Sequence, residues 1–397
     1  MKNKYNLKIG IVIIGYSNIE GIKRLLSSLD MVNFGKDELA LIFSIDYSGN
    51  NRVTELAESY RWQHGEKIVK SYSENLGLRT HILKCGDYID EYDLDALIVL
   101  EDDIFLSPNA YQYALETVDF YRHDARIAGI SLYKHEFNIN AKHPFWALDD
   151  GYDTYFMQYA QSWGQIWLKE QWKSFKAWYN REGWRSLDPK IVPDNLKKWQ
   201  NSWLKYHIMF CIDTDSYFVY PRVSLTSDFS DAGVHGSHQN TDMQVPLDYS
   251  VDRNWKFASL SNSSAIYDAY FQNTIISRII QKDGVLIDYY GIREIPDGYK
   301  YLLSIKRLDY NIIKSWGLQL RPVEANIISD ISGSDIFLYD LSKHENAPKS
   351  GGNYRLFEYD LKGLNIVSKY NIRYCMNFVI RYMHNKLRQL KKKHKRE

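Results

Sequence analysis

Five apolar residues, Ala96 to Leu100, run directly into Glu101, Asp102 and Asp103. Adjacent ionised carboxylates repel, so such a trio needs a cation, hydrogen-bond donors or open water. Hard divalent ions such as Mg2+ or Mn2+ take one or two carboxylates together with phosphate oxygens. A strand-end acidic cluster is therefore a platform for a metal–diphosphate. The alternative is an acidic loop that solvates the next helix, since acids are favourable near a helix N-terminus. Two further groups precede the trio. Asp46 closes the apolar run in IFSIDYSGN, where it either makes a turn or accepts a hydrogen bond from a nucleobase. Arg79, in ENLGLRTHI, carries a planar guanidinium suited to a diphosphate. Singly each signal is weak. The order strand–Asp, Asn-Leu-Gly-Leu-Arg, strand–Glu-Asp-Asp is much less expected by chance.

These groups need elements to hold them. The first 130 residues alternate strand and helix patterns. KIGIVIIGY, LALIFSID, KIVKSY, DALIVLEDD and IAGISLY read as strands. Between them lie segments of helical spacing: NIEGIKRLLSSLDM, RVTELAESYRWQ, GLRTHILKCGDYI and SPNAYQYALETVDFYRH. In the last of these, Ser107 is placed as N-cap and Pro108 at the first helical position. Such alternation predicts a mostly parallel sheet with helices on both faces. In open sheets of that kind, ligands bind beyond the carboxyl ends of the strands, which is where Glu101 stands. Further on, SWGQIWLKEQWKSFKAWY and DNLKKWQNSWLKYHIMF read as helical, and SYFVYPRVSLTSDF as a strand entering a polar loop. Residues 261–365 read as mixed helix and strand. Residues 366–397 read as a helix that turns strongly basic.

Bulk properties narrow the classes. At 397 residues and 45% hydrophobic content the chain can bury a large core. A formal charge of +1 gives no nucleic-acid signature. Cys85, Cys211 and Cys375 are too far apart for a disulfide framework or a zinc site, which fits a reducing cytoplasm. The N-terminal apolar run is too short for a signal sequence or membrane span. The 32 tyrosines and 11 tryptophans fit either carbohydrate contacts or a large mixed core.

The chain resembles nucleotide-sugar-dependent glycosyltransferases of the GT-A fold, in particular bacterial capsule and lipopolysaccharide transferases and the Golgi enzyme that adds the first branching N-acetylglucosamine to N-glycans. Four stretches carry the resemblance: IVIIGYSNIEGIKRLLSSL, IFSIDYSGN, ENLGLRTHI and VLEDDIFLSPNAYQYA. Two looser ones are YAQSWGQIWLKEQWKSF and YPRVSLTSDFSDAGVHGSH. Together they span residues 8–240. The resemblance implies an α/β, Rossmann-like, mostly parallel sheet over residues 1–250, with a nucleotide-sugar half (1–135) and an acceptor half (136–250). An α+β extension (251–365) and the basic helical tail (366–397) would follow. It assigns Asp46 to the base, Arg79 to the diphosphate or base, and Tyr16, Glu101 and Asp102 to the donor. Asp103 would bind Mn2+ or Mg2+ directly, with His235, and less securely His238, contacting the metal or phosphates. Trp163 and Gly164 would line the sugar and acceptor pocket.

The pattern departs from the family at the catalytic base. Inverting members place an Asp in a Trp-flanked helical segment, and here KKWQNSWLKY offers Asn201 and Ser202 instead. Asp194, an N-cap or a base, stands upstream. Asp149, Asp150, Asp153 and Asp213 are other candidates. Inversion is the default by analogy alone. The expected activity is transfer from a nucleoside diphosphate sugar, UDP being the first choice, to a hydroxyl of a surface glycan or polyprenyl-linked acceptor. A catalytically silent binding subunit is the alternative. A nucleotidyltransferase is disfavoured because GYSNIEG lacks the basic signature of that class. The last 17 residues hold eight Lys/Arg against one Glu. They follow Phe378, Val379, Ile380 and Tyr382 closely, which predicts peripheral contact with an anionic membrane on its cytoplasmic face, or else a solvated end.

Overall fold

The computed structural model describes residues 4–200, 202–229, 243–345, 354–360 and scattered positions between 372 and 387. Met1–Pro348 form one compact unit and Lys349–Glu397 a second. The first half of the larger unit follows the predicted alternation: β1 (Ile9–Gly15), α1 (Ile19–Leu29), β2 (Ala40–Ile45), α2 (Arg52–Ser59), β3 (Lys67–Ser71), α3 (Leu78–Glu91), β4 (Ala96–Glu101), β5 (Ile104–Leu106), α4 (Ala110–Tyr121) and β6 (Ile127–Ser131). A two-residue ribbon, β7 (Phe137–Asn138) and β8 (His143–Pro144), precedes β9 (Thr154–Met157), β10 (Gln165–Leu168) and α5 (Lys169–Asn180). Then come α6 (Asp194–Lys198), α7 (Leu204–Thr214), β11 (Tyr217–Pro221), β12 (Thr226–Asp228) and β13 (Ile266–Tyr267). The rest of the unit is α8 (Ile276–Ile280), β14 (Val285–Ile287), β15 (Tyr301–Ser304), β16 (Asn311–Trp316), α9 (Val323–Ile328) and β17 (Ile336–Asp340); α10 (Tyr354–Asp360) lies in the second unit.

The central sheet has nine strands in the order β13-β9-β11-β6-β10-β4-β1-β2-β3. Strands β3, β2, β1 and β4 run parallel; β10 is antiparallel to both β4 and β6, and β11 is parallel to β6. The parallel strands are apolar on both faces because helices cover both. Along β1, Ile9, Ile11 and Ile13 enter one core, with α1 and α4, while Val12 and Ile14 enter the other, with α3, α5 and α7. Strand β4 alternates in the same way: Ala96, Ile98 and Leu100 on the first face, Leu97 and Val99 on the second. The predicted mostly parallel α/β sheet is therefore present, and an α+β segment follows it, built on a separate four-stranded sheet, β14-β15-β17-β16.

Three local expectations shift. The apolar stretch read as one helix from Ser162 onward is strand Gln165–Leu168 followed by a helix from Lys169. Its four strand residues are all buried, and a short apolar run has no periodicity that separates a buried strand from a buried helix. The segment from Asp194 is two helices broken between Trp199 and Trp203, not one. Ser107 does not cap α4, which starts at Ala110 behind Asn109. Its hydroxyl accepts from Asn109 N at 3.1 Å and donates to the Asp248 carbonyl, so it closes a turn just ahead of the helix.

The second core explains many of the aromatics. Trp167 and Trp172 stack at 4.2 Å, and a Cβ at Gly86 of α3 would meet the Trp172 ring at 1.9 Å, so that glycine sets the distance between α3 and α5. His207 lies in the same core, stacked on Phe175 at 4.3 Å, and burial pushes its pKa down to about 3. It is therefore neutral when folded, whereas an unfolded histidine titrates near ~6.5. With the folded pKa depressed, its contribution to stability is complete above the unfolded pKa and is lost as pH falls from there toward the folded one. Replacing His207 by Phe should remove that sensitivity. Between pH 7 and pH 5 the wild type should lose about 2 kcal/mol more than His207→Phe in urea denaturation. Equal losses in the two proteins would contradict a neutral buried ring.

Candidate active site

Parallel pairing aligns three strand ends on one rim. Ile14 pairs with Glu101, and Gly15 with Ile45. Carried one residue on, the register sets Tyr16 beside Asp46, and Gly15 beside Asp102. Tyr16, Asp46 and the acidic trio thus share the carboxyl edge of the sheet, as the sequence order requires. Tyr16 is 37% exposed there.

Asp46 is almost fully buried. Its Oδ1 accepts from its neighbour Tyr47 N at 2.9 Å and from Leu76 N at 2.8 Å, and its Oδ2 accepts from Gly77 N at 3.1 Å. The carboxylate therefore ties the end of β2 to the Asn-Leu-Gly loop. Gly77 has φ +73°, a left-handed value that favours glycine. Asn75 Nδ2 donates to the Tyr47 carbonyl at 3.0 Å and closes the same loop. Beneath Asp46 lies a polar chain that sequence reading passed over. Ser44 Oγ contacts His81 Nε2 at 2.8 Å and Tyr88 OH at 2.9 Å, and Tyr88 meets Tyr72 OH at 3.0 Å. Burial lowers the His81 pKa to about 4, against the opposing pull of Asp46.

Arg79 occupies the first turn of α3, just past that loop. One Nη donates to the Gln200 carbonyl, and the guanidinium lies 4.9 Å from the Tyr206 ring centre. Its Nε is buried and has no hydrogen-bond partner among the described residues.

The trio forms a tight corner. β4 ends at Glu101, Asp102 and Asp103 make the turn, and β5 begins at Ile104. The corner packs on α1 at Gly21, where a Cβ would meet the Asp102 carbonyl oxygen at 2.2 Å. Strand β12 then pairs antiparallel with β5, setting Asp228 opposite Ile104, and Phe229 N donates to the Asp103 carbonyl at 2.9 Å. This brings in a fourth carboxylate, Asp228, which is 2% exposed. Burial, then repulsion from Asp103 and Asp102, holds the Glu101 carboxyl well above the usual carboxylate range; Asp228 adds to this, and a hydrogen bond from the Trp203 indole opposes it. Glu101 Oε1 is buried with no hydrogen-bond partner among the described residues.

Asp228 and Trp203 are the members that sequence reading passed over. Asp228 had a usable signal, since SLTSD is an apolar–polar strand ending in Asp, as IFSID is. Trp203 had none, because its approach to Glu101 depends on how α7 packs.

Trp163 and Gly164 reach the same edge through β10. Gln165 lies opposite Val99, so Trp163 falls opposite Glu101 when the antiparallel register is continued. Gly164 has φ +95°, and a Cβ there would press on Thr226 at 2.9 Å; Thr226 Oγ1 donates to the Trp163 carbonyl at 2.6 Å. His235, His238 and Asn201 lie outside the described residues.

The acids considered as bases are elsewhere or already engaged. Asp194 opens α6 and is 67% exposed, paired with Lys197 at 2.7 Å, a contact that lowers its pKa. That shift is opposite to the one a base working near neutrality needs. Asp150 binds Arg222, Ser263 and Ser264; Asp153 binds Arg253 and Lys256; Asp213 accepts from Trp178; and Asp149 accepts from Gly151. Among the described residues, no three His, Cys, Asp or Glu side chains are grouped as ligands for one metal ion.

No family model and no curated protein matches the chain. Among solved structures it is similar to TarS 1–349 of S. aureus, at 13% identity and a TM-score of 0.37, covering 55% of this chain and 60% of that one. It is similar also to the mannosyltransferase PcManGT of Pyrobaculum calidifontis in complex with GDP-Man and Mn2+, at 13% identity and a TM-score of 0.30, covering 43% and 46%. A third is GalNAc-T7 with UDP, GalNAc and Mn2+, at 13% identity and a TM-score of 0.36, covering 57% and 44%. Likenesses this distant transfer no activity or ligand to this chain, and it spans less than two thirds of the length of each.

Asp46 supplies a direct test of how the rim is held. Asp46→Ala removes the acceptor of three backbone amides and should cost about 2–4 kcal/mol in denaturant unfolding. Hydrogen exchange at Leu76 and Gly77 should rise with it. Unchanged protection at those two amides would show that the loop is held by something else.

Proposed function

We propose that this chain is a GT-A-type glycosyltransferase that moves a sugar from a nucleoside diphosphate donor, a UDP-sugar as the first choice, to a hydroxyl of a surface glycan or lipid-linked acceptor. The observation that carries the reading is the convergence of Tyr16, Asp46, Glu101, Asp102, Asp103 and Asp228 on one rim of a mostly parallel sheet. Glu101, Asp102, Asp103 and Asp228 lie on neighbouring strand ends, and burial, then repulsion from Asp103 and Asp102, raises the Glu101 pKa. Carboxylates are the ligands that hard divalent ions take beside phosphate oxygens.

Asp103 would hold that ion, with His235 as a second ligand. Bound Mn2+ or Mg2+ would balance the charge of the departing nucleoside diphosphate. Tyr16 offers an exposed ring at the base end of the rim. The Asp46-tied loop would bring Arg79 to the donor, where its planar guanidinium suits a diphosphate. Glu101 and Asp102 would meet the ribose and the sugar, with Trp163 and Gly164 on the acceptor side. Inversion is the working stereochemical course.

A second reading, a catalytically silent nucleotide- or glycan-binding subunit, is favoured by one observation. The candidate bases outside the rim, Asp149, Asp150, Asp153, Asp194 and Asp213, are each ion-paired or bonded to backbone or side-chain donors. Incubation with a panel of nucleotide sugars, with and without Mn2+, separates the two. The enzyme reading expects Mn2+-dependent release of the nucleoside diphosphate, reduced at least ~100-fold in Asp103→Ala, on the scale of losing a transition-state charge partner. Donor binding without turnover would favour the silent subunit. Full activity in Asp103→Ala would remove the metal assignment.

The tail supports attachment to an anionic membrane surface. No helix among the described residues is long and apolar enough to cross a bilayer. The described positions between 372 and 387 are helical, and Ile372, Met376, Val379, Met383 and Leu387 are all exposed. Their spacing of three and four residues makes one apolar stripe, next to the Lys/Arg-rich end. Phe378 lies outside the described residues. Deleting residues 384–397 should reduce co-sedimentation with anionic vesicles several-fold at physiological salt, each basic residue contributing about 1 kcal/mol near such a surface. Undiminished binding would discard the membrane role.

A further inference from the structure

Glu324 is a carboxylate inside the protein with no cationic partner among the described residues. It stands in the first turn of α9 and is 4% exposed. Its Oε1 accepts from Tyr267 OH, on β13, at 2.5 Å and from Asn273 Nδ2 at 3.5 Å; its own backbone amide is the remaining donor. Tyr267 and Asn273 are themselves buried, and the Phe145 and Tyr155 rings stand edge-on to Tyr267. The pocket around the carboxylate is therefore largely apolar.

The charged groups on the surrounding elements are engaged elsewhere. Asp268, just after β13, is paired with Arg293. In the loop ahead of β9, Asp150 is paired with Arg222 and Asp149 accepts from Gly151 N. Arg321, ahead of α9, lies over the Trp146 ring, and His143 of β8 is stacked on Tyr290. Arg278, on the α8 helix that packs on α9, makes no ion pair with Glu324. The titratable group that does face Glu324 is Tyr267. Burial, then this carboxylate, holds its phenol far above the ordinary range, so it stays a donor.

Tyr267 also ties Glu324 to the rest of the sheet edge. Its OH accepts from Leu148 N at 2.7 Å while donating to Glu324. The Leu148 carbonyl accepts from Arg222, the residue after β11, at 2.6 Å, and Arg222 also holds the Tyr152 carbonyl and the Asp150 carboxylate. One chain of bonds thus runs from α9 through β13 to the loop ahead of β9 and the end of β11.

We propose that Glu324 is a proton-operated latch: with its proton on, the joint of α9, β13 and the Leu148 loop is tight, and loss of the proton loosens it. The neutral carboxyl suits an apolar pocket, whereas the anion there lacks both water and a cation, so it favours an opened joint that hydrates it. Burial pushes the Glu324 pKa up to about 6, against the hydrogen bonds from Tyr267, its own amide and Asn273. An exposed glutamate titrates near ~4.3. With the closed-state pKa raised, the proton's contribution is complete below the open-state value and is lost as pH rises through the closed-state one. Neutral pH lies on the loosened side. None of this depends on the chemistry of the acidic rim.

Hydrogen exchange on the full chain at pH 5 and pH 7, corrected for the intrinsic pH dependence of exchange, reads the opening at Leu148 and along α9. In the wild type the opening equilibrium should rise about eightfold from pH 5 to pH 7, the ratio for a pKa of about 6 when closed and ~4.3 when open. Glu324→Gln, neutral at both pH values, should show no rise. Equal opening of the wild type at the two pH values overturns the latch, and so does a rise that persists in Glu324→Gln. Should that variant not fold, 13C NMR of the Glu324 carboxyl in the wild-type chain decides. A midpoint near pH 6 supports the latch, and one near ~4.3 overturns it.

Discussion

Mutual repulsion of carboxylates is the constraint around which the larger unit is arranged. Glu101, Asp102, Asp103 and Asp228 are held at one corner, and burial, then repulsion from Asp103 and Asp102, raises the Glu101 pKa well above the ordinary range. Such a corner is costly by itself and persists because the scaffold allows it no relaxation. Parallel pairing fixes Glu101 beside Ile14, Gly21 lets the Asp102 carbonyl sit against α1, and the β5–β12 ribbon pins Asp228 across from Ile104.

A second carboxylate does the opposite work. Asp46 is buried and content, with three backbone amides as donors. It converts a strand end into an anchor for the loop that leads to Arg79. The chain Ser44–His81–Tyr88–Tyr72 lies directly below and couples α3 to the same strand. A donor molecule lying along this rim would therefore meet a loop already ordered, so little entropy is lost in shaping it. The other helical layer is fixed by aromatic packing: the Trp167–Trp172 stack sits over Gly86, and His207 fills the space beside Phe175.

The two ends of the sheet differ in chemical character. The carboxyl rim concentrates negative charge and backbone donors. The opposite rim holds a cavity formed where the α+β segment meets β9 and β11. The segment after residue 250 thus contributes to the sheet through β13 and to the cavity through β14 and Arg293, so it is more than an appendage to the nine-stranded sheet.

Much of this was legible in the sequence because it is local. Apolar runs of about five residues leading to Asp46 or Glu101 specify buried strands with acids at their ends, and the period of the intervening helices is unambiguous. The mostly parallel sheet, the shared rim and the placement of Tyr16, Asp46 and the trio follow from those patterns with parallel pairing. What the sequence left open depends on distant partners. Asp228 reaches the trio only because β12 crosses to β5, more than a hundred residues upstream. Gln165–Leu168 becomes an antiparallel strand because β4 and β6 leave a gap of one strand's width, and its own four buried residues cannot choose between strand and helix. Ser107 turns the chain ahead of α4 and is held from a distance by the Asp248 carbonyl, and Asp194 is set apart by its pairing with Lys197. In each case a short segment with two acceptable local conformations was decided by the hydrogen-bond partner or neutralising charge that tertiary packing brought within reach.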